Sequence, residues 1–117
     1  MTVLVVENEY ALRSLVARYF RKRGYDVMEA ADGAEGIRLL QTSLPSIALV
    51  DLLMPVMDGT EFVRRVRALN HRFPILLVSA SPEAIETCET FACDGVVTKP
   101  FDIIKLAAKV EQVLKRA

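Results

Sequence analysis

Residues 47–59 read IALVDLLMPVMDG. Ile47, Ala48, Leu49 and Val50 run without a polar break and stop on Asp51. An unbroken apolar run of that length marks a strand buried on both faces. Residues 51–58 then form a loop. Asp58 stands three before Glu61, a capping-box-like start to a helix carrying Phe62, Val63, Val66 and Leu69. A doubly buried strand that ends on an acid and feeds a helix is the unit to look for in the rest of the chain.

It recurs on both sides. Residues 2–6 are a continuous apolar run, followed by a helix with Leu12, Leu15, Val16, Tyr19 and Phe20 on one face. Gly24 is placed to end that helix with positive φ. Residues 26–30 form a weaker second strand. Asp32-Gly33 reads as a turn, a short helix carries Ile37 and Leu40, and Pro45 closes it. Downstream, residues 75–78 are a fourth strand, and Ser81-Pro82 reads as an N-cap with proline at the first helical position. That helix presents Ile85, Cys88, Phe91 and Ala92 on one side. Residues 95–98 are a fifth strand, and the last helix carries Ile103, Leu106, Ala107, Val110, Val113 and Leu114.

Five strands alternating with five helices, with runs buried on both faces, predict an α/β domain with a parallel sheet covered on both sides. Right-handed crossovers narrow this to a doubly wound, flavodoxin-like sheet of order 2-1-3-4-5, whose crevice lies at the carboxyl ends of strands 1 and 3. The chain of 117 residues reads as one domain spanning 1–117. Hydrophobic residues make up 52% and charged residues 26%, which excludes a disordered chain. Lys plus Arg and Asp plus Glu both number 15, so there is no general pull toward nucleic acid or an anionic membrane. No apolar stretch approaches the ~20 residues of a membrane span, and the N-terminus does not look like a signal peptide. Cys88 and Cys93 have neither metal-type nor redox-type spacing and read as two small core thiols, which with the rest points to the cytoplasm.

Side chains just past the strands converge in such a fold. Strand 1 is followed by Glu7-Asn8-Glu9, strand 3 by Asp51, strand 4 by Ser79, and strand 5 by Lys99-Pro100. Taken singly, each has an ordinary reading: acids favour the positive end of the next helix, and a loop hydroxyl or a surface lysine needs no special role. Together they make a site. His71, with no acidic or cysteine neighbour, reads as a solvated loop residue. The basic end of the first helix, Arg18, Arg21, Lys22 and Arg23, complements the helix dipole. There is no glycine-rich phosphate loop.

The segments VLVVENE, ALVDLLMPVMDGTEF, ILLVSAS and DGVVTKPF resemble the signature blocks of receiver domains of two-component response regulators, in the same order and spacing and over essentially the whole chain. The resemblance implies that Asp51 is the phosphoacceptor, that Ser79 is the hydroxyl contacting the phosphoryl group and that Lys99 is its cationic partner. It implies Mg²⁺ or another divalent cation, held by Glu7, Asn8, Asp51 and the backbone carbonyl of Leu53. It implies a histidine kinase or histidine phosphotransfer protein as donor. A downstream protein would be engaged through helix 4, strand 5 and helix 5, where Ile104 and Ala108 lie off the core stripe. No direct nucleic-acid or membrane contact is expected. Any catalysis is self-phosphorylation and self-dephosphorylation, not conventional turnover.

Two residues depart from the family pattern. Asn8 stands where a second carboxylate is usual, and Val96 stands where many receivers carry an aromatic ring that turns inward on phosphorylation. Both favour the alternative of a phosphorylation-independent, receiver-like interaction module. A phosphohydrolase with an aspartyl intermediate would want an acid two residues past its nucleophile, and that position is Leu53.

Overall fold

The computed structural model describes residues 1–116. Its strands are β1 (Thr2–Val6), β2 (Asp26–Ala30), β3 (Ile47–Val50), β4 (Ile75–Ser79) and β5 (Gly95–Thr98). Its helices are α1 (Tyr10–Lys22), α2 (Gly33–Leu39), α3 (Gly59–Ala68), α4 (Glu83–Phe91) and α5 (Ile103–Arg116). The strands form one parallel sheet in the order β2-β1-β3-β4-β5, as the alternation predicts.

Side chains alternate across a strand, so each central strand feeds two cores. Leu4, Val6, Ala48, Val50, Ile75 and Leu77 point into one layer, closed by α2, α3 and α4 around Phe62, Val66 and Ala84. Val3, Val5, Ile47, Leu49, Leu76 and Val78 point into the other, closed by α1 and α5 around Phe20, Leu106 and Val110. Among the described residues, no helix is long and apolar enough to cross a membrane.

The helix ends follow local chemistry. Gly24 adopts φ 94°, and the Tyr25 amide donates to the Phe20 carbonyl at 3.1 Å. That six-to-one bond closes α1, and the left-handed residue it needs is glycine. Asp58 Oδ1 accepts the Glu61 amide at 2.8 Å. The Glu61 carboxylate does not return to Asp58, however. It pairs with Arg64 and Arg65, so the capping box is half made.

Three readings of the sequence need correction. Asp32 does not open a bare turn: its Oδ1 caps α2 by accepting the Glu35 amide at 2.8 Å, while Glu35 Oε1 accepts the Ala31 amide at 2.7 Å. The face of α1 is rotated, with Val16, Ala17 and Phe20 inward and Leu15 47% exposed. On α4 the buried residues are Ala84 and Thr87, and Ile85 is 61% exposed. Ala84 faces the core layer with Cys88 and Phe91 packed beside it, and position 85 is turned to solvent.

Candidate functional site

The carboxyl edge of the sheet gathers the side chains that follow β1, β3, β4 and β5. The Asp51 amide donates to the Val6 carbonyl at 3.0 Å, which brings the end of β3 beside the end of β1. The Lys99 amide donates to the Ser79 carbonyl at 3.1 Å and does the same for β5 and β4. These main-chain bonds continue the sheet ladder one step beyond the strands, so the site rests on rigid elements.

Lys99 joins the two halves. Its Nζ lies 2.7 Å from Glu7 Oε1 and 3.2 Å from Asp51 Oδ2. Both acids are 6% exposed. Burial works against the Lys99 charge. The hydrogen bond to Glu7 and the charges of Glu7 and Asp51 outweigh it, and the ammonium is held above its ordinary pKa. The inner wall is apolar: Val5, Leu49, Val78 and Phe101 line a recess of about 20 Å³ that reaches both acids, room for about one water.

The other residues singled out in the sequence are distributed around this centre. Ser79 is buried at the end of β4, with its Oγ accepting the Ser81 amide at 3.0 Å rather than touching Asp51. Asn8 is exposed beside Glu7, and Leu53 is exposed, with its amide 3.4 Å from Asp51 Oδ1. Among the described residues, no three of His, Cys, Asp and Glu gather as a metal-binding group. With asparagine at position 8, the edge offers two carboxylates, an amide and main-chain carbonyls.

The loop over Asp51 is tightly shaped. The Met57 amide donates to the Pro55 carbonyl at 2.7 Å, and Val56 between them has φ 68°. This is a three-residue γ-turn with a β-branched residue in the left-handed region, a costly conformation. Gly59 starts α3 so close to the loop that a Cβ there would overlap the Asp51 carbonyl. The Lys99–Pro100 peptide is cis.

Arg13 escaped the reading of the sequence. Its Nη1 donates to the Glu7 carbonyl at 2.8 Å, and its Nε lies 3.6 Å from Glu29 on β2. It thus anchors the end of β1 from below. No local signal reveals it, because Glu29 becomes its neighbour only once β2 pairs with β1.

Comparison with known proteins finds relatives of the same fold. The family profile described as response regulator receiver domain matches residues 3–111. The alkaline phosphatase synthesis transcriptional regulatory protein PhoP of Bacillus subtilis is 31% identical over 117 residues, 98% of this chain and 49% of that protein. The chain spans about half the length of the curated relatives it matches. The chemotaxis protein CheY4 of Vibrio cholerae superposes with a TM-score of 0.89 at 32% identity, covering 96% of this chain and 97% of that one. The response regulator TrrA of Thermotoga maritima, solved in complex with Mg²⁺-BeF, gives a TM-score of 0.85 at 25% identity over 96% of this chain and 97% of its own.

Proposed function

This chain belongs to the response regulator receiver domain family, and from that membership we propose that it accepts a phosphoryl group on Asp51 and relays its presence to a protein partner. The observation that carries the reading is the sharing of one ammonium, Lys99, between the buried carboxylates of Asp51 and Glu7. A carboxylate so placed is a nucleophile with its neutralising cation already beside it.

The chemistry asked of the residues is simple. An Asp51 oxygen forms a bond to phosphorus as the phosphorus–nitrogen bond of the donor, a phosphohistidine of a kinase or phosphotransfer protein, breaks, and the donor's imidazole leaves with the electron pair. The transition state spreads charge over the phosphoryl oxygens, so the protein's part is positioning and neutralisation. Lys99 turns its ammonium to the new phosphoryl group. The Ser79 hydroxyl donates to a phosphoryl oxygen, and through its bond to the Ser81 amide draws on the loop that opens α4. A hard divalent cation such as Mg²⁺ fits the oxygen donors of Glu7, Asp51, Asn8 and the Leu53 carbonyl, and bound there it would offset the remaining phosphoryl charge.

The site has one carboxylate fewer than two-acid relatives, and Asn8 therefore supports a second reading, an interaction module that works without phosphate. One experiment separates the two. Intact mass is measured after exposure to a small phosphodonor with Mg²⁺, for the native chain and for Asp51→Asn. A phosphoryl increment is expected in the first and absent in the second. An increment of equal extent in Asp51→Asn sinks the assignment, and no increment in a folded native chain favours the second reading.

A further inference from the structure

Cys88 and Cys93 look unrelated in the sequence, but the fold sets them at the two ends of one hydrogen-bonded turn. Cys88 lies in the last turn of α4. The chain then passes through Ala92 in the left-handed conformation, φ 54° and ψ 49°, and the Cys93 amide returns to the Cys88 carbonyl at 3.0 Å. This is the six-to-one bond of a Schellman turn, whose end residues commonly pack their side chains together. Both cysteines are half-buried, free thiols packed against the core layer of α3 and α4. Burial, and next the neighbouring Cys88, push the Cys93 thiol up to about 12.

The neighbouring groups are engaged elsewhere. The Asp94 carboxylate accepts the Ile75 amide at 3.0 Å. The Arg67 guanidinium serves the carbonyls of Phe91, His71 and Phe73. The pair is therefore a dithiol without further ligands, which favours oxidation chemistry over metal binding.

We propose that Cys88 and Cys93 form a redox site, which a small-molecule disulfide converts to an intramolecular disulfide across the end of α4. The Cys88 thiolate attacks one sulfur of the small disulfide. A mixed disulfide forms, and the first small thiolate leaves. Cys93 gives its proton to solvent and attacks the Cys88 sulfur, and the second small thiolate leaves. Two protein thiols are oxidised and one disulfide is reduced to two thiols. The turn pre-positions Cys93 for the second step, which then outruns the return of the small thiol. The elevated Cys93 pKa slows attack, because the thiolate is the nucleophile. It also makes the finished bond resistant to reduction, because the reduced pair gains little from ionising. The bond would tie the last turn of α4 to the chain entering β5.

The test incubates the full chain in graded mixtures of oxidised and reduced glutathione, quenches with acid and reads intact mass. The same chain unfolded in urea serves as reference. The expected product has lost two hydrogens and carries no glutathione, and forms faster as pH rises above neutral. It should appear at an oxidised-to-reduced ratio at least about tenfold lower than in the unfolded chain. Cys88→Ser and Cys93→Ser should each give a glutathione adduct and no hydrogen loss. The proposal is overturned if the folded native chain stays reduced, accumulates glutathione adducts, or closes the bond at the same ratio as the unfolded chain.

Discussion

Asn8 is the residue that bears most directly on the proposed cation site. It sits exposed beside Glu7 at the edge that would receive a divalent cation, and contributes dipole where a carboxylate would contribute charge. At an effective dielectric near 20, one added negative charge a few ångströms from a divalent ion, partly screened by water, is worth about 1–2 kcal/mol. Asn8→Asp should accordingly tighten Mg²⁺ roughly tenfold in a direct titration. Equal or weaker binding would mean that position 8 faces away from the ion. Glu7, Asp51 and Lys99 directly follow strands and Ser79 ends one, so all four are legible in the sequence, because the topology alone sends those positions to one edge. Arg13 and the Cys88–Cys93 turn are not legible. Arg13 acquires Glu29 through strand pairing, and the cysteines meet through a left-handed alanine that no glycine or asparagine announces.

The elements are bounded by caps, and the most consequential is Asp58 at the start of α3. It stands one residue before the glycine that packs on the Asp51 carbonyl, and its side chain holds the Glu61 amide. Asp58→Ala should cost about 1 kcal/mol in urea unfolding, with most of it restored in Asp58→Asn. An unchanged midpoint in Asp58→Ala would show that the cap carries no stability. The hydrogen bonds from Arg64, then Arg65, hold the Glu61 carboxyl at about 2, below its ordinary 4.5. A lowered carboxylate pKa favours folding above the unfolded value, and that contribution fades as pH falls from about 4.5 toward 2. In this exposed cluster the contribution is small. The central strands β1, β3 and β4 were readable because strands buried on both faces are almost wholly apolar, whereas the edge strand β2 carries Asp26 and Glu29 and gives a weaker signal. Helix faces were less so: Leu12, Leu15, Val16, Tyr19 and Phe20 span a stripe wider than the contact with the sheet, and only packing decides that Leu15 is left out. For α4, hydrophobicity favours Ile85, while the packing buries Ala84 and Thr87.

At the scale of the whole molecule, the question is how a change at Asp51 could be felt elsewhere. Val96 has no ring to swing, and the groove of about 300 Å³ between Ser81, Pro82, Ile85 and Val96 is left open. Two links remain. Ser79 is tied to the Ser81 amide, and Ser81 Oγ in turn accepts the Glu83 amide at 3.2 Å in the first turn of α4. Thr60, next to Gly59, shares a hydroxyl hydrogen bond of 3.1 Å with Thr87 in the middle of α4. Both links end on α4, so its motion against β5, with Ile85 and Val96 lining the groove between them, is the expected output. Addition of beryllofluoride with Mg²⁺ should shift amide resonances along α4 and β5. Changes confined to the loops around Asp51 would point to a domain that carries phosphate without switching shape. A ligand moves such an equilibrium only by its differential affinity for the two states.

The order β2-β1-β3-β4-β5 also governs how the chain finds its shape. β1 lies between β2 and β3, pairing Thr2 with Asp26 and Val3 with Ile47. No ladder in the sheet is a hairpin, and each one closes a loop long enough to contain a whole helix. The entropy of closing those loops is spent before the pairings return anything. Local segments such as the capped α3 can form and dissolve many times while β1 waits for both of its neighbours. The barrier to folding is therefore a search for distant partners, and it enters the refolding rate rather than the final stability.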